Sequence, residues 1–316
     1  MTDFATETTN VRFLNQAFLD KLDGGPAMVK QAETAMAAFI RQRLREDGFA
    51  RQIFTPQILT AAELDRDLHD QPRKIVEKEP DSVAANIALT GAAEVRYFRA
   101  ERYEVAMEKI SSKLFKKSKF ELATYATNIS QVIQQNSVKD LQLVEDEGLM
   151  NGLKSIAATN HVGSGYVSGI LDVNTTFSPS AMIAAINELI KAKQKPAKIL
   201  IPYNLYNILL SQPSTVVGSL IAESHFRGED MRNAYGYEFI PTNKLDLLSS
   251  DPADPSKWGD MIGIFAPEGY LGQFYSLQEP TVFLKNEADM LEFKVYESVG
   301  IGLGNIQGFR LAKFDL

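Results

Sequence analysis

The chain has 316 residues, of which 45% are hydrophobic and 23% charged, a balance that supports a buried core, excludes a disordered chain and fits about two domains. A formal net charge of −7 argues against gripping nucleic acid over a broad surface, because neutralising phosphates takes clustered Lys and Arg. The lack of cysteine removes disulfides, thiolate catalysis and cysteine-based metal sites, and fits a reducing compartment. No apolar run approaches the roughly 18 residues that span a bilayer, and the start, MTDFATETTN, has neither the basic nor the apolar region of a signal peptide.

In chain order, the first fifty residues read as helix. Val11 to Leu22 carries Phe13, Leu14, Ala17, Phe18 and Leu22 before DGGP breaks the pattern, and Met28 to Glu46 repeats it with Val29, Ala32, Met36, Phe39, Ile40 and Leu44. The two pieces have little joint core, so they are expected to lie against something else, within the chain or on a neighbour. Residues 51–120 change character, with prolines at 56, 72 and 80 and period-two alternation of Val95 and Tyr97, then of Tyr103, Val105 and Met107, against their neighbours. This reads as a long hairpin region, too polar to make a core alone. SKLFKKSKFE then gathers Lys113, Lys116, Lys117 and Lys119, either as a solvated strand face or as a charged contact with a neighbouring subunit.

The clearest helix signal is Ser137 to Thr159. Ser137 with Asp140 resembles a capping box. Leu141, Val144, Gly148, Leu149, Gly152, Leu153, Ile156 and Ala157 recur at three- and four-residue steps and predict one buried face. The rod is roughly 35 Å long. Gly148 and Gly152 each cost a helix up to about 1 kcal/mol against Ala, so two on one stripe predict that another backbone passes close. Glu145, Asp146 and Glu147 are expected to face outward.

A Gly-rich connector, HVGSGYVSG, leads to a second unit. Ser178 as N-cap and Pro179 at the first helical position start a helix carrying Met182, Ile183, Ile186, Leu189 and Ile190, closed by Lys191, Lys193, Lys195 and Pro196. AKILIP, PYNLYNILLS, YEFIPTN and MIGIFAP then alternate short buried strands with helix, which predicts a compact α/β layer over 176–267. PTVFLK, the turn NEAD and MLEFKVYE form the best hairpin, with Leu291, Phe293 and Val295 opposed to Glu292, Lys294 and Tyr296. FRLAKFDL closes the chain as an edge-like strand.

No motif carries chemistry. Gly300, Gly302 and Gly304 miss the dinucleotide spacing and precede no helix, and no phosphate-binding loop or nucleophile elbow is present. His69, His161 and His225 are too far apart for a metal motif. Asp65 and Asp67 begin like a calcium loop, but His69 takes the next ligand place. No catalytic, cofactor-binding or metal-ligating residue is therefore expected.

In layout and phrasing the chain resembles the major capsid proteins of tailed bacteriophages with the Hong Kong 97 fold. RFLNQAFLDKL, RKIVEKEPDSVA, KSKFELATY, FAPEGYLGQFY and YESVGIGLGN carry the likeness, which covers nearly the whole chain. The resemblance implies an α+β fold divided as follows: a helical N-arm over 1–50, a connection over 51–71, an extended E-loop hairpin over 72–110 and a P-domain over 111–175 with the spine helix 137–159. An axial A-domain over 176–267, the P-domain hairpin over 268–299 and a C-terminal strand over 300–316, returning to the A-domain, complete it. Gly148, Gly152, Leu149, Leu153, Lys116 and Lys117 become structural or assembly residues.

The function implied is a non-enzymatic shell subunit, without cofactor, that forms hexamers and pentamers of an icosahedral head around double-stranded DNA. Its location is the virion, with assembly in the host bacterial cytoplasm and no membrane contact. Portal protein and a decoration protein are implied partners. The arm-like helix begins by about Val11, where many members carry a long scaffolding segment, so a separate scaffolding protein and no N-terminal cleavage are expected. Some members cross-link a lysine to an asparagine; Lys74, Lys78, Asn286 and Asn305 are of those types, but nothing in their setting selects them. The rival readings are an encapsulin-like compartment of the same fold and, more distantly, an α/β enzyme using 176–267.

Overall fold

The computed structural model describes residues 2–65, 71–78, 101–124, 128–211, 233–234 and 236–315. The expected strand start at Val95 and Tyr97, together with Asp67, His69 and His225, lies outside them.

Helices α1 (Thr2–Asp23) and α2 (Pro26–Asp47) meet at Gly24 and Gly25. Gly25 has φ of 108°, a turn conformation that glycine adopts without steric cost. Their buried residues Leu19, Leu22, Met36 and Ile40 share one cluster with residues of a long helix and a long hairpin of the same chain. The missing private core is thus supplied from within the chain for this face. The short helix α3 (Phe49–Ile53) follows, buried at Phe49, Ala50, Arg51 and Ile53.

Strands β1 (Pro56–Ile58), β12 (Gly272–Glu287), β13 (Met290–Leu303) and β4 (Glu108–Ser111) lie side by side, and β5 (Phe115–Ser118) also pairs with β13. The β12–β13 hairpin is antiparallel from Gly272 opposite Leu303 to Glu287 opposite Met290, so its turn is Ala288 and Asp289. Alternation holds only in part: Leu291 and Val295 are buried and Lys294 and Tyr296 half-buried, but Phe293 is only half-buried and Glu292 is buried, where it pairs with Lys116. Strands β2 (Arg73–Lys78) and β3 (Glu101–Ala106) make a separate antiparallel ribbon. Its base packs Val105 and Met107 against Tyr275.

The second sheet has seven strands in the order β6 (Tyr166–Val167), β7 (Ile170–Thr176), β14 (Phe309–Asp315), β11 (Met261–Phe265), β8 (Lys198–Pro202), β10 (Tyr237–Thr242) and β9 (Asn233–Ala234). It is mixed: β14 runs parallel to β7 and β10 to β8, while β11 is antiparallel to both neighbours. The closing strand β14 is not at an edge. It lies between β7 and β11, because Phe309 and Leu311 fill one core while Ala312 and Phe314 fill the other. Helices α6 (Pro179–Lys191) and α7 (Tyr203–Leu210) cover one face, with Met182, Ile186, Leu189 and Leu205 on Ile199, Ile201, Ile262 and Ile264. The N-cap of α6 is Ser178, which accepts from the Ala181 N–H, with Pro179 following.

The opposite face of this sheet packs on α3 and on the long helix α5 (Ile129–Asn160), whose Leu149, Met150, Leu153 and Ala157 meet Leu200, Phe309 and Leu311. Three expectations for this helix need correction. It begins two turns before Ser137: the N-cap is Asn128, which accepts from the Gln131 N–H at 3.5 Å, and Ser137 is buried in mid-helix. Extending a helix costs less than starting one, and Ile133 already continues the buried stripe before Ser137. The buried face is also rotated, so that Glu145 and Asp146 lie inside and Val144, Gly148 and Gly152 outside. Finally, among the described residues a Cβ at Gly148 or Gly152 would meet nothing within 4 Å, so no other backbone passes close there. The close backbone is that of Gly169, where a Cβ would fall 2.1 Å from the Ala157 carbonyl carbon.

Candidate assembly surface

The solvent side of α5 and the ribbon strand β3 enclose an open groove of about 280 Å³. Gly148, Gly152 and Ile156 form one wall; Tyr103, Val105 and Gly302 form the other. Two glycines on the outer face of a helix leave its backbone uncovered, at a cost that packing among the described residues does not repay. Burial lifts the Tyr103 phenol pKa above its ordinary value. Leu143 and Val144 extend the apolar surface along the helix, and elsewhere Phe13 (73% exposed) and Phe120 (80%) stand in solvent. Apolar side chains this exposed cost little singly, but as patches they mark contact surfaces.

Leu149 and Leu153, each directly after one of the glycines, are fully buried core residues. They hold α5 on the sheet, and Leu149 also forms part of the groove floor. Lys116 pairs with Glu292 across the β5–β13 register, and Lys117 pairs with Glu121 at 3.0 Å. Both lysines lie on an exposed strand whose outer edge shows no pairing among the described residues. Lys74 sits 3.7 Å from Glu63, Asn286 donates to Asp23 at 2.7 Å, and Asn305 accepts from the Gln307 N–H.

Sequence reasoning missed the main buried polar group. Glu145 Oε1 and Oε2 accept from the Arg51 guanidinium at 2.5 and 2.9 Å, and Glu297 Oε2 accepts from the same group at 2.8 Å. Asp146 accepts from Lys244 at 2.5 Å and from the Ala50 N–H at 2.8 Å. Burial pushes the Asp146 pKa up although Lys244 opposes this. Burial, with the charge of Glu145 beside it, pushes Glu297 up to about 8. Arg51 is held above its ordinary value because Glu145 and Glu297 outweigh burial. The only sequence signal was three consecutive acids on a helix, which does not reveal their partners.

His161 caps α5 at its C-terminal end, with Nε2 3.0 Å from both the Ile306 carbonyl oxygen and Arg310 Nη1. Its pKa is lowered, by burial first and by the Arg310 charge. This is a structural arrangement under the end of the helix. Among the described residues no group of three or more His, Asp or Glu is disposed to hold a metal ion, and no helix is long and apolar enough to cross a membrane.

No protein-family model and no curated protein sequence matches this chain. Solved structures match over most of its length. A structure from Microbacterium phage Oxtober96 covers 85% of the chain and 91% of its own, with a TM-score of 0.56 at 12% identity. The mature capsid of bacteriophage PhiM1 covers 85% and 87%, with a TM-score of 0.55 at 8% identity. The chain has the Hong Kong 97-type capsid fold. The capsid of an empty GTA particle shares it over 84% of the chain and 89% of its own, with a TM-score of 0.54 at 14% identity. At such identities the shared property is the backbone path, which survives when nearly every side chain has changed because burial pattern and topology, not particular residues, maintain it.

Proposed function

We propose that this chain is a major capsid subunit whose copies form hexamers and pentamers of an icosahedral, tailed-phage head enclosing double-stranded DNA. The observation that carries this reading is the capsid fold running through about 85% of the chain. The proposed role is structural and non-enzymatic. The division into N-arm, E-loop, spine helix, P-domain and A-domain belongs to the same proposal, as do a separate scaffolding protein, a portal and a decoration protein.

Assembly gives the open surfaces a use. A closed shell repeats a small set of heterologous contacts, so each subunit presents different patches to different neighbours. The groove at Gly148 and Gly152 and the edge at Lys116 and Lys117 are proposed contacts of this kind. Location in the virion, with assembly in the host bacterial cytoplasm, follows from the same reading. The net charge of −7 suits an inner surface that does not hold packaged DNA tightly.

Electron microscopy of the recombinant chain, alone and with its scaffolding protein, tests the proposal. Scaffold-dependent shells built of hexamers and pentamers are expected. Small uniform empty shells formed without scaffold would favour a compartment, and a monodisperse monomer whose melting responds to a small ligand would favour an enzyme.

A further inference from the structure

Arg51, Glu145 and Glu297 come from α3, α5 and β13, and all three are at least nine-tenths buried. The guanidinium spans the two carboxylates and lies 5.5 Å over the ring of Phe274 on β12. Four elements therefore converge on one cation. The charges in the site do not balance: two buried carboxylates face one guanidinium, and among the described residues Glu297 Oε1 has no hydrogen-bond partner. The neighbouring charged groups are engaged elsewhere. Lys244 is held by Asp146 and the Gln142 carbonyl, Lys198 by the carbonyls of Gln52 and Ile53, and Glu268 by the Thr55 N–H. On the neighbouring strands, β4 brings Ile110 opposite Glu297, and β12 places Ser276 opposite Val299, with its hydroxyl buried and unpartnered among the described residues.

We propose that Arg51, Glu145 and Glu297 form a proton-dependent latch: a proton on Glu297 ties α3 to α5 and β13, and its loss loosens that junction. A proton on Glu297 leaves one cation facing one anion. Without it, two anions share one guanidinium, and burial penalises the excess charge. Glu297 accordingly holds its proton up to about pH 8 in the folded chain, raised first by burial and then by Glu145. The direction follows from linkage. A carboxyl whose folded pKa is raised contributes stability that is fully present below its ordinary value of 4.5 and is lost as pH rises to about 8. The latch is a property of the single chain and does not depend on the shell reading.

The test is hydrogen exchange of the full-length chain from pH 5 to 9, read by mass spectrometry on peptides covering 49–54, 141–150 and 294–300 and corrected for the intrinsic rate. The opening equilibrium of these peptides is expected to rise by up to about tenfold per pH unit between about pH 5 and 8 and then level off. Glu297→Gln, which mimics the protonated carboxyl, is expected to remove the rise. A flat wild-type profile, or the same rise in Glu297→Gln, overturns the latch. If that variant does not fold, infrared spectroscopy of the wild-type chain and of Asp146→Asn at pH 6.5 decides: a buried protonated carboxyl band kept in Asp146→Asn supports the proposal, and its absence from either overturns it.

Discussion

At Gly169 the backbone has φ of 79° and runs so near the last turns of α5 that a Cβ would overlap the Ala157 carbonyl. Neither feature has room to relax, since the opposing atoms are main chain. Gly169→Ala is expected to cost about 3 kcal/mol, seen as a lowered urea midpoint at unchanged slope. Arg51 is the other residue on which several elements depend. Arg51→Ala leaves Glu145 and Glu297 buried and uncompensated, and a loss of about 3–5 kcal/mol is expected in the same measurement. A loss under about 1 kcal/mol would mean that the site opens to water once the guanidinium is gone.

Among the elements, α6 and α5 show how far local signals carry. The start of α6 was legible because Ser178 and Pro179 precede a strongly apolar stripe with no competing start nearby, and the cap forms as read. Ser178→Ala should cost about 1 kcal/mol, measured by thermal or chemical unfolding. In α5 the signal at Ser137 was locally sound, but Ile133 on the earlier turn is buried against the α1–α2 pair, and that contact extends the helix past it. Gly148 and Gly152 separate folding from assembly. With open space at both Cβ positions, Gly148→Leu with Gly152→Leu should leave monomer stability within about 1 kcal/mol of wild type while lowering shell yield. Normal shells from the double variant would remove the groove from the assembly contacts.

For the whole molecule, the α1–α2 pair is buried on one side by α5 and the hairpin, yet exposes Phe13 and Leu14 on the other. A surface substitution there has little to disturb inside the chain. Phe13→Asp with Leu14→Asp is therefore expected to leave the melting temperature nearly unchanged and to block particle formation, checked by light scattering and electron microscopy. Intact particles would show that this face of the pair is not a subunit contact.

Local sequence alone determined the existence of the long helix, the burial of Leu291 and Val295 in the hairpin and the cap of α6, because each depends on neighbours within a few residues along the chain. The phrasing of several segments also pointed to the capsid fold. Only the tertiary structure decided which side of α5 is buried. Glu145 and Asp146 enter the interior because Arg51 and Lys244, 94 and 98 residues away, arrive to pair with them. A charge is buried only where its partner is brought to it, and no local spacing records where that partner comes from.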